Sequence, residues 1–186
     1  MNTLLTTALL ASATLAAAAA RDDCASQAIA MKSWTIHNFN FNASKVFTTP
    51  AHQFGDGYVG FNLFNTVTNE ERRCDGGAGR LDPWFVGDAN FQCRTMNGAN
   101  DPNTVFNFNL ASRTVKLNQS FECPGSVTQY VAQGGADLSK HVGYTKTEYH
   151  NYGWTYPPGG NIYEAYSEKI EPFDAELTVD SIRVNA

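Results

Sequence analysis

The sequence of 186 residues has little charge and no excess of positive charge. Lys and Arg number 13 against 18 Asp and Glu, the formal net charge is -5, and charged residues make up only 17% of the chain. Binding to a nucleic-acid backbone needs a basic face, so this balance argues against nucleic acid as a partner. Polar uncharged residues, asparagine above all, make up the difference, which is typical of an extracellular surface kept soluble by amides, hydroxyls and glycans.

Motifs that carry catalytic or metal chemistry are also missing. The chain has no G-x-S-x-G, no H-E-x-x-H and no C-x-x-C, and its four histidines lack the spacing of metal ligands. Residues 55–60 match G-x-G-x-x-G, but a strand-like run follows where dinucleotide binding needs a helix. The sequence therefore predicts no catalytic residue, no cofactor and no metal site, and a protein that is not an enzyme.

A long apolar run occurs only at the amino terminus. Residues 1–20 carry no charged side chain, and the run from Leu4 ends in Ala18-Ala19-Ala20, which suits a signal-peptidase site. The alternative is a membrane anchor, but alanine is a weak membrane residue and no basic cluster follows. We therefore predict a signal peptide over 1–20 and a single secreted, extracellular β domain over 21–186, free of the membrane after cleavage.

Four cysteines, Cys24, Cys74, Cys93 and Cys123, lie beyond the leader and predict two disulfides. Cys93 and Cys123 each share alternation parity with a phenylalanine two residues earlier, so both are expected to point inward, whereas the other two lie in polar, loop-like contexts. Parity favours Cys93 with Cys123, and sequence proximity favours Cys74 with Cys93. The sequence leaves the pairing open.

Two sequons accompany the export signal. Asn42-Ala43-Ser44 and Asn118-Gln119-Ser120 would carry glycans at Asn42 and Asn118 if the chain passes through a eukaryotic secretory route and the sites are exposed. We therefore treat both asparagines as candidate glycosylation sites.

Beyond the leader, a period of two dominates and the helical period is almost absent. Trp34 and Ile36 share one parity and Phe39 and Phe41 the other, so a bulge near residues 37–38 would place all four on one face. A second phase change falls near residues 180–181, a hairpin is expected around residues 111–113, and a single helical turn is possible around 137–142. The pattern predicts an all-β fold: one antiparallel sandwich or barrel, stabilised by disulfides.

Aromatic residues in loop-like contexts are the best candidates for ligand contact. Trp34 has strand parity and is expected in the core. Trp84 follows Asp82-Pro83 and Trp154 lies near Pro157-Pro158, and in such loops ring faces could stack on sugars or partner surfaces. This favours a carbohydrate-binding or glycan-hydrolysing β-sandwich as an alternative function. A hydrolase would need two converging carboxylates, and the candidates are Glu70, Glu71, Asp82, Asp88, Glu164 and Glu168.

Four segments resemble a known group of small secreted fungal proteins. They are residues 33–41 (beginning Ser33-Trp34-Thr35-Ile36), 47–53, 57–63 and 117–123 (ending Phe121-Glu122-Cys123). The group is similar to the Alternaria major allergen family, and the likeness covers about residues 30 to 125. The additional cysteines of that group after this point have no counterpart here, so the resemblance leaves the pairing of Cys24 with Cys123 undecided.

The resemblance implies a compact β-barrel or sandwich and no established enzyme chemistry. It points to a secreted, effector-like or allergen-like interaction protein that acts by binding in the extracellular or host apoplastic space. The expected partner is a host or cell-wall protein or glycan of unknown identity, and neither the residues nor the resemblance gives the oligomeric state.

Overall fold

The computed structural model of the protein describes residues 23–79, 85, 89–141, 143–156 and 159–185. The predicted signal peptide, residues 1–20, lies outside them. The described residues form a helix, α1 (23–30), and nine strands: β1 (Ser33–Thr49), β2 (His52–Asn65), β3 (Glu70–Gly77), β4 (Phe91–Thr95), β5 (Asn100–Asn109), β6 (Thr114–Glu122), β7 (Gln129–Asp137), β8 (Tyr144–His150) and β9 (Glu164–Asn185).

Eight of these strands close into an antiparallel barrel. The strand order is β1-β2-β3-β4-β5-β6-β7-β9, and β9 pairs back onto β1 to complete the ring, while β8 lies outside it on β9. The structure therefore confirms the all-β prediction and decides between its two alternatives in favour of a barrel. The expected hairpin is also confirmed, because β5 and β6 pair down to Asn109 opposite Thr114.

Both predicted phase changes are irregularities in strand pairing. The β1–β2 register shifts between His37 and Asn40, and Asn38 takes a positive φ of 54°. The β7–β9 register shifts at Gln133/Gly134, opposite residues 179–181. Each bulge brings apolar residues of opposite parity to one face. As predicted, Trp34, Ile36, Phe39 and Phe41 all lie in the core.

Phenylalanine rings fill the barrel. Phe39 lies 6.0 Å from Phe61 and 5.6 Å from Phe108 between ring centroids, and Phe61 lies 5.0 Å from Phe106. A buried amide in this region, Gln119, accepts hydrogen bonds from Trp34 Nε1 at 2.8 Å and from a buried asparagine of β2, Asn65, at 2.9 Å. The interior is thus packed with side chains, and these polar groups within it are paired.

The disulfides join Cys24 to Cys123 and Cys74 to Cys93. Proximity was therefore the right guide for the second pair, and the pairing of Cys93 with Cys123 that parity favoured is wrong. The loop-like contexts expected for Cys24 and Cys74 are also wrong, since Cys24 lies in α1, Cys74 lies in β3, and both are buried. Parity reports which face a residue occupies, not which strand lies beside it.

The helix α1 lies in a segment for which the sequence pattern predicted no helix. Cys24, Ala28 and Met31 are buried at spacings of four and three, which is one stripe of a helix. The possible helical turn near 137–142 is instead a turn closed by the N–H of His141 on the carbonyl of Leu138. The disulfide between Cys24 and Cys123 joins α1 to the residue that directly follows β6.

A partly buried ion pair links β3 to β5. Arg72 Nε donates to Asp101 Oδ2 at 2.8 Å, Thr104 Oγ1 donates to the same oxygen at 2.8 Å, and the N–H of Asn103 donates to Oδ1 at 3.0 Å. Burial alone would raise the pKa of Asp101, but the hydrogen bonds from Arg72, Thr104 and Asn103 outweigh it and hold the pKa below its ordinary value.

This pair predicts a stability that depends on acid. Because the folded-state pKa of Asp101 is depressed, its contribution is full above the ordinary carboxyl pKa and is lost as the pH falls through the folded value. Asp101→Asn should lower the free energy of unfolding by about 2 kcal/mol at pH 7 and by much less near pH 3. Urea unfolding at both pH values, with exposed Asp180→Asn as control, measures this. An equal deficit at both values would contradict it.

Candidate binding surface

Part of the sheet continues beyond the barrel. The strand β7 pairs with β9 only over residues 178–185, and β3 pairs with β2 only from Tyr58 onward. The remaining segments pair with each other in the order β2-β1-β9-β8 and comprise residues 52–57, 42–49, 164–170 and Tyr144–His150. We call these four segments the four-stranded extension. Most of its side chains are exposed or only half-buried, so packing inside this molecule does not account for it.

An apolar row crosses the outer face of the extension. Val46 pairs with Phe54 on one side and with Ala165 on the other, and Ala165 pairs with Tyr149. Four apolar side chains from four strands are therefore direct cross-strand neighbours. Phe54 and Tyr149, at the two ends, are each 53% exposed. A row of this kind in contact with water is typical of a contact surface.

The opposite face of the extension is polar and continues from the barrel interior. Tyr166 donates a hydrogen bond to Glu164, and His150 Nδ1 lies 3.2 Å from the same carboxylate oxygen. The bond to Glu164 raises the pKa of Tyr166 to about 12, and the bond from Tyr166 lowers the pKa of Glu164. At neutral pH this face therefore presents a protonated phenol and an ionised carboxylate, which suit hydrogen bonding to a ligand.

The connection from β8 to β9, residues 151–163, ends the extension in a cluster of aromatic rings. The Trp154 ring lies edge-on to Tyr163 with centroids 5.4 Å apart, and Tyr156 lies 6.5 Å from it. Tyr152 and Tyr156 are 92% and 81% exposed. We call these four residues the aromatic tip.

Hydrogen bonds of Asn151 join described residues from the two ends of this connection. Its side chain donates to the carbonyl of Ile162 at 3.2 Å and accepts from the N–H of Gly153 at 3.0 Å, and its carbonyl accepts from the N–H of Trp154 at 3.2 Å. The buried Trp154 Nε1 has no acceptor among the described residues. The described residues of the tip therefore combine exposed tyrosine rings with a buried indole N–H.

The candidate ligand and glycosylation residues that the sequence predicted lie in different parts of the chain. Trp154 lies in a loop, as predicted, and is half-buried, whereas Trp84 lies outside the described residues. Asn42 is exposed in β1, and Asn118 is half-buried in β6 between β5 and β7. Of the two sequons, Asn42 is the more accessible.

The candidate carboxylates for hydrolysis fall into two groups on strands that do not pair. Glu70 contacts Arg72 at 3.0 Å, and Glu71 accepts from Asn62 at 3.0 Å, both around β3. Glu164 and Glu168 lie on one face of β9, four residues apart, so their Cα atoms are about 13 Å apart. Asp82 and Asp88 lie outside the described residues. The described groups form no close carboxylate pair of the kind that glycosidases use.

A second surface feature is an open groove of about 610 Å³ on the barrel wall. Strands β5, β6 and β7 supply amide side chains to it, including Asn107, Asn118 and Gln133, and Lys116 and Asp180 also line it. Alternation along the three strands turns all three amides outward, so their shared face is encoded in the sequence pattern. The groove is open and its lining is mixed, slightly more apolar than polar, so it lacks the enclosed form of a small-molecule pocket.

Comparison with known proteins finds neither a matching family model nor a matching curated protein. Of the residues described, none belong to a helix with the length and hydropathy needed to traverse a membrane. The described residues also contain no group of three His, Cys, Asp or Glu side chains placed to hold a metal ion. Any functional conclusion therefore rests on the geometry of the extension and its tip.

Proposed function

We propose that this chain is a secreted interaction protein that binds an extracellular partner through the aromatic tip and the four-stranded extension. The observation that carries the proposal is the exposure of Tyr152 and Tyr156, at 92% and 81%, beside Trp154. Tyrosine and tryptophan dominate the energetics of many protein interfaces because they bury a large area with few rotatable bonds. Side chains exposed to this extent bury little of their own area within the chain.

Two features support the extracellular part of the proposal. The amino-terminal run of residues 1–20 has the composition of a cleaved leader. Both disulfides close within the chain and leave no free thiol among its four cysteines, which is typical of oxidising compartments. A fungal, effector-like or allergen-like role in the host apoplast follows from the family resemblance and belongs to the same proposal.

The contacts of the extension support binding over catalysis. His150 contacts Glu164, Tyr152 and Tyr163, none of which is a nucleophile of the kind that a histidine base activates. The hydrogen bond to Glu164 raises the pKa of the Tyr166 phenol to about 12. The phenol is therefore protonated at neutral pH and does not act as a base there. We therefore propose that the protein is not an enzyme and that this network orients side chains for a partner.

The test is capture of partners from host extracellular extract by the wild-type chain and by Tyr152→Ala/Tyr156→Ala. The double variant should retain less than about a tenth of the captured partner, because two aromatic contacts of the hot-spot type are removed. Both side chains are largely exposed, so the thermal melt should be unchanged.

The matched control is Met96→Ala/Val127→Ala, which truncates two exposed side chains on other loops. Its capture should equal that of the wild type. If the tyrosine variant captures as well as the control does, the tip is not the binding site, and if the wild type captures nothing specific, the proposal fails as a whole.

A glycan is the second candidate partner, and the position of the polar network favours it. Ring faces beside hydrogen-bonding groups suit sugars, and His150 contacts the ring of Tyr152 while its Nδ1 reaches Glu164. A glycan array with the same tip variant tests this, together with an assay of reducing-sugar release. Array signal without sugar release would identify a glycan-binding protein, and silence in both assays would remove this candidate.

A further inference from the structure

The strand β8 forms an edge of the four-stranded extension. It pairs with β9 from Tyr144 opposite Ile170 to His150 opposite Glu164, without a register shift, and no other described strand pairs with it. It has seven residues and contains no proline and no glycine. Proteins usually protect such an edge with a bulge, a proline, a short strand or a charged side chain, because its free backbone groups can pair with another strand. Of these devices β8 has only the charges of Lys146 and Glu148.

Hydrogen bonds at both ends of β8 show which of its backbone groups face outward. The N–H of Asn151 donates to the carbonyl of Tyr163, and the carbonyl of Gly143 accepts from Glu171. Odd-numbered residues therefore direct their backbone groups toward β9, and alternation turns those of Tyr144, Lys146, Glu148 and His150 away from it. The free edge thus presents N–H and C=O groups at four regularly spaced positions.

The side chains of β8 are complementary to a second copy of the same strand. If two copies align antiparallel about a two-fold axis through Thr147, Lys146 of each lies opposite Glu148 of the other, and Tyr144 lies opposite His150. The residues so opposed are the same ones whose backbone groups face outward. Register, hydrogen bonding and charge therefore agree on one alignment.

We infer that this protein forms a symmetric dimer in which β8 of one chain pairs with β8 of a second copy. The two extensions then join into one continuous eight-stranded sheet. Within one chain, Lys146 Nζ already lies 3.2 Å from Glu148 Oε1, with 48% and 60% of the two side chains exposed. Both charges are thus free to turn to the opposing strand without leaving a buried partner behind.

Charge also selects a second copy over other extended segments. A strand that places uncharged residues opposite Lys146 and Glu148 gains no charge pairing, and a strand that places like charges there is destabilised. The copy matches both charges at once, and the match occurs twice because of the symmetry. Raising the ionic strength should weaken the dimer, since these pairs are exposed to solvent.

Charge reversal tests the inference by sedimentation or light scattering over a range of concentrations. The wild type should be dimeric, and Glu148→Lys and Lys146→Glu should each weaken dimerisation about tenfold or more by opposing like charges twice. The double variant Lys146→Glu/Glu148→Lys restores opposite charges and should restore the dimer. Glu171→Lys makes the same change of charge on β9, outside the edge, and should dimerise as the wild type does.

A backbone variant separates strand pairing from other modes of association. Glu148→Pro removes an N–H that faces away from β9, so it should abolish the dimer with little change in the thermal melt. A monomeric wild type at its highest soluble concentration would overturn the inference. So would single reversals that leave the dimer intact, or a double reversal that fails to restore it while its melt matches that of the wild type.

Discussion

Removing the disulfide between Cys24 and Cys123 should destabilise the protein more strongly than removing the other disulfide. The bond closes a sequence separation of 99 residues, and in the chain-entropy model a loop of this size contributes about 4 to 5 kcal/mol. The variant Cys24→Ala/Cys123→Ala frees α1 from the end of β6 and exposes the apolar stripe that includes Ala28 and Met31. We expect its melting temperature to fall by on the order of 10 °C or more.

The second disulfide provides the comparison. Cys74→Ala/Cys93→Ala opens a separation of only 19 residues, for which the same model gives about 3 kcal/mol. Denaturant unfolding of both variants beside the wild type should therefore rank them by loop length. If removing the Cys74–Cys93 bond lowers the free energy of unfolding as much as removing the Cys24–Cys123 bond, native-state packing and not chain entropy determines the effect. A melt that does not respond to reductant would show that the bonds do not stabilise the fold.

The barrel and its irregularities could be predicted from alternation alone. Trp34 with Ile36 and Phe39 with Phe41 have opposite parity, and only a bulge between them places all four in one core. This inference is local, since it needs only the rule that strand side chains alternate. Predicting the disulfide pairing required knowing which strands are neighbours. That Cys74 lies beside Cys93 follows from the pairing of Arg73 with Arg94 across β3 and β4, which alternation does not determine.

The four-stranded extension could not be predicted in the same way. Its strands β8 and the first part of β9 bury almost nothing, so they lack the apolar alternation by which core strands are recognised. Phe54 and Tyr149 become the two ends of one row only because of the register of four strands. The strands that carry them, β2 and β8, are far apart in sequence. Trp154 was identified because prolines and glycines mark its loop, but its packing on Tyr163 depends on the tertiary fold.

The other large effect is expected from a single methyl group at the closure of the barrel. Gly134 lies where the β7–β9 register shifts, and a Cβ atom there would overlap the carbonyl oxygen of Thr178 and lie 3.0 Å from the backbone nitrogen of Asp180. Since φ of Gly134 is not positive, the requirement is for space and not for a left-handed backbone. Backbone cannot move aside as a flexible side chain can, so Gly134→Ala must displace β9 from β7.

We expect Gly134→Ala to lower the free energy of unfolding by about 3 kcal/mol, which is the upper range for overpacking. The substitution should also weaken the pairing of β7 with β9. Gly77→Ala is the matched control, because a Cβ there meets nothing closer than the carbonyl oxygen of Gly57 at 3.8 Å. That control should be neutral or slightly stabilising. Hydrogen exchange should show faster opening of β7 and the end of β9 in Gly134→Ala alone. Equal stability of the two variants would mean that the β7–β9 backbones do not approach each other as closely as the register requires.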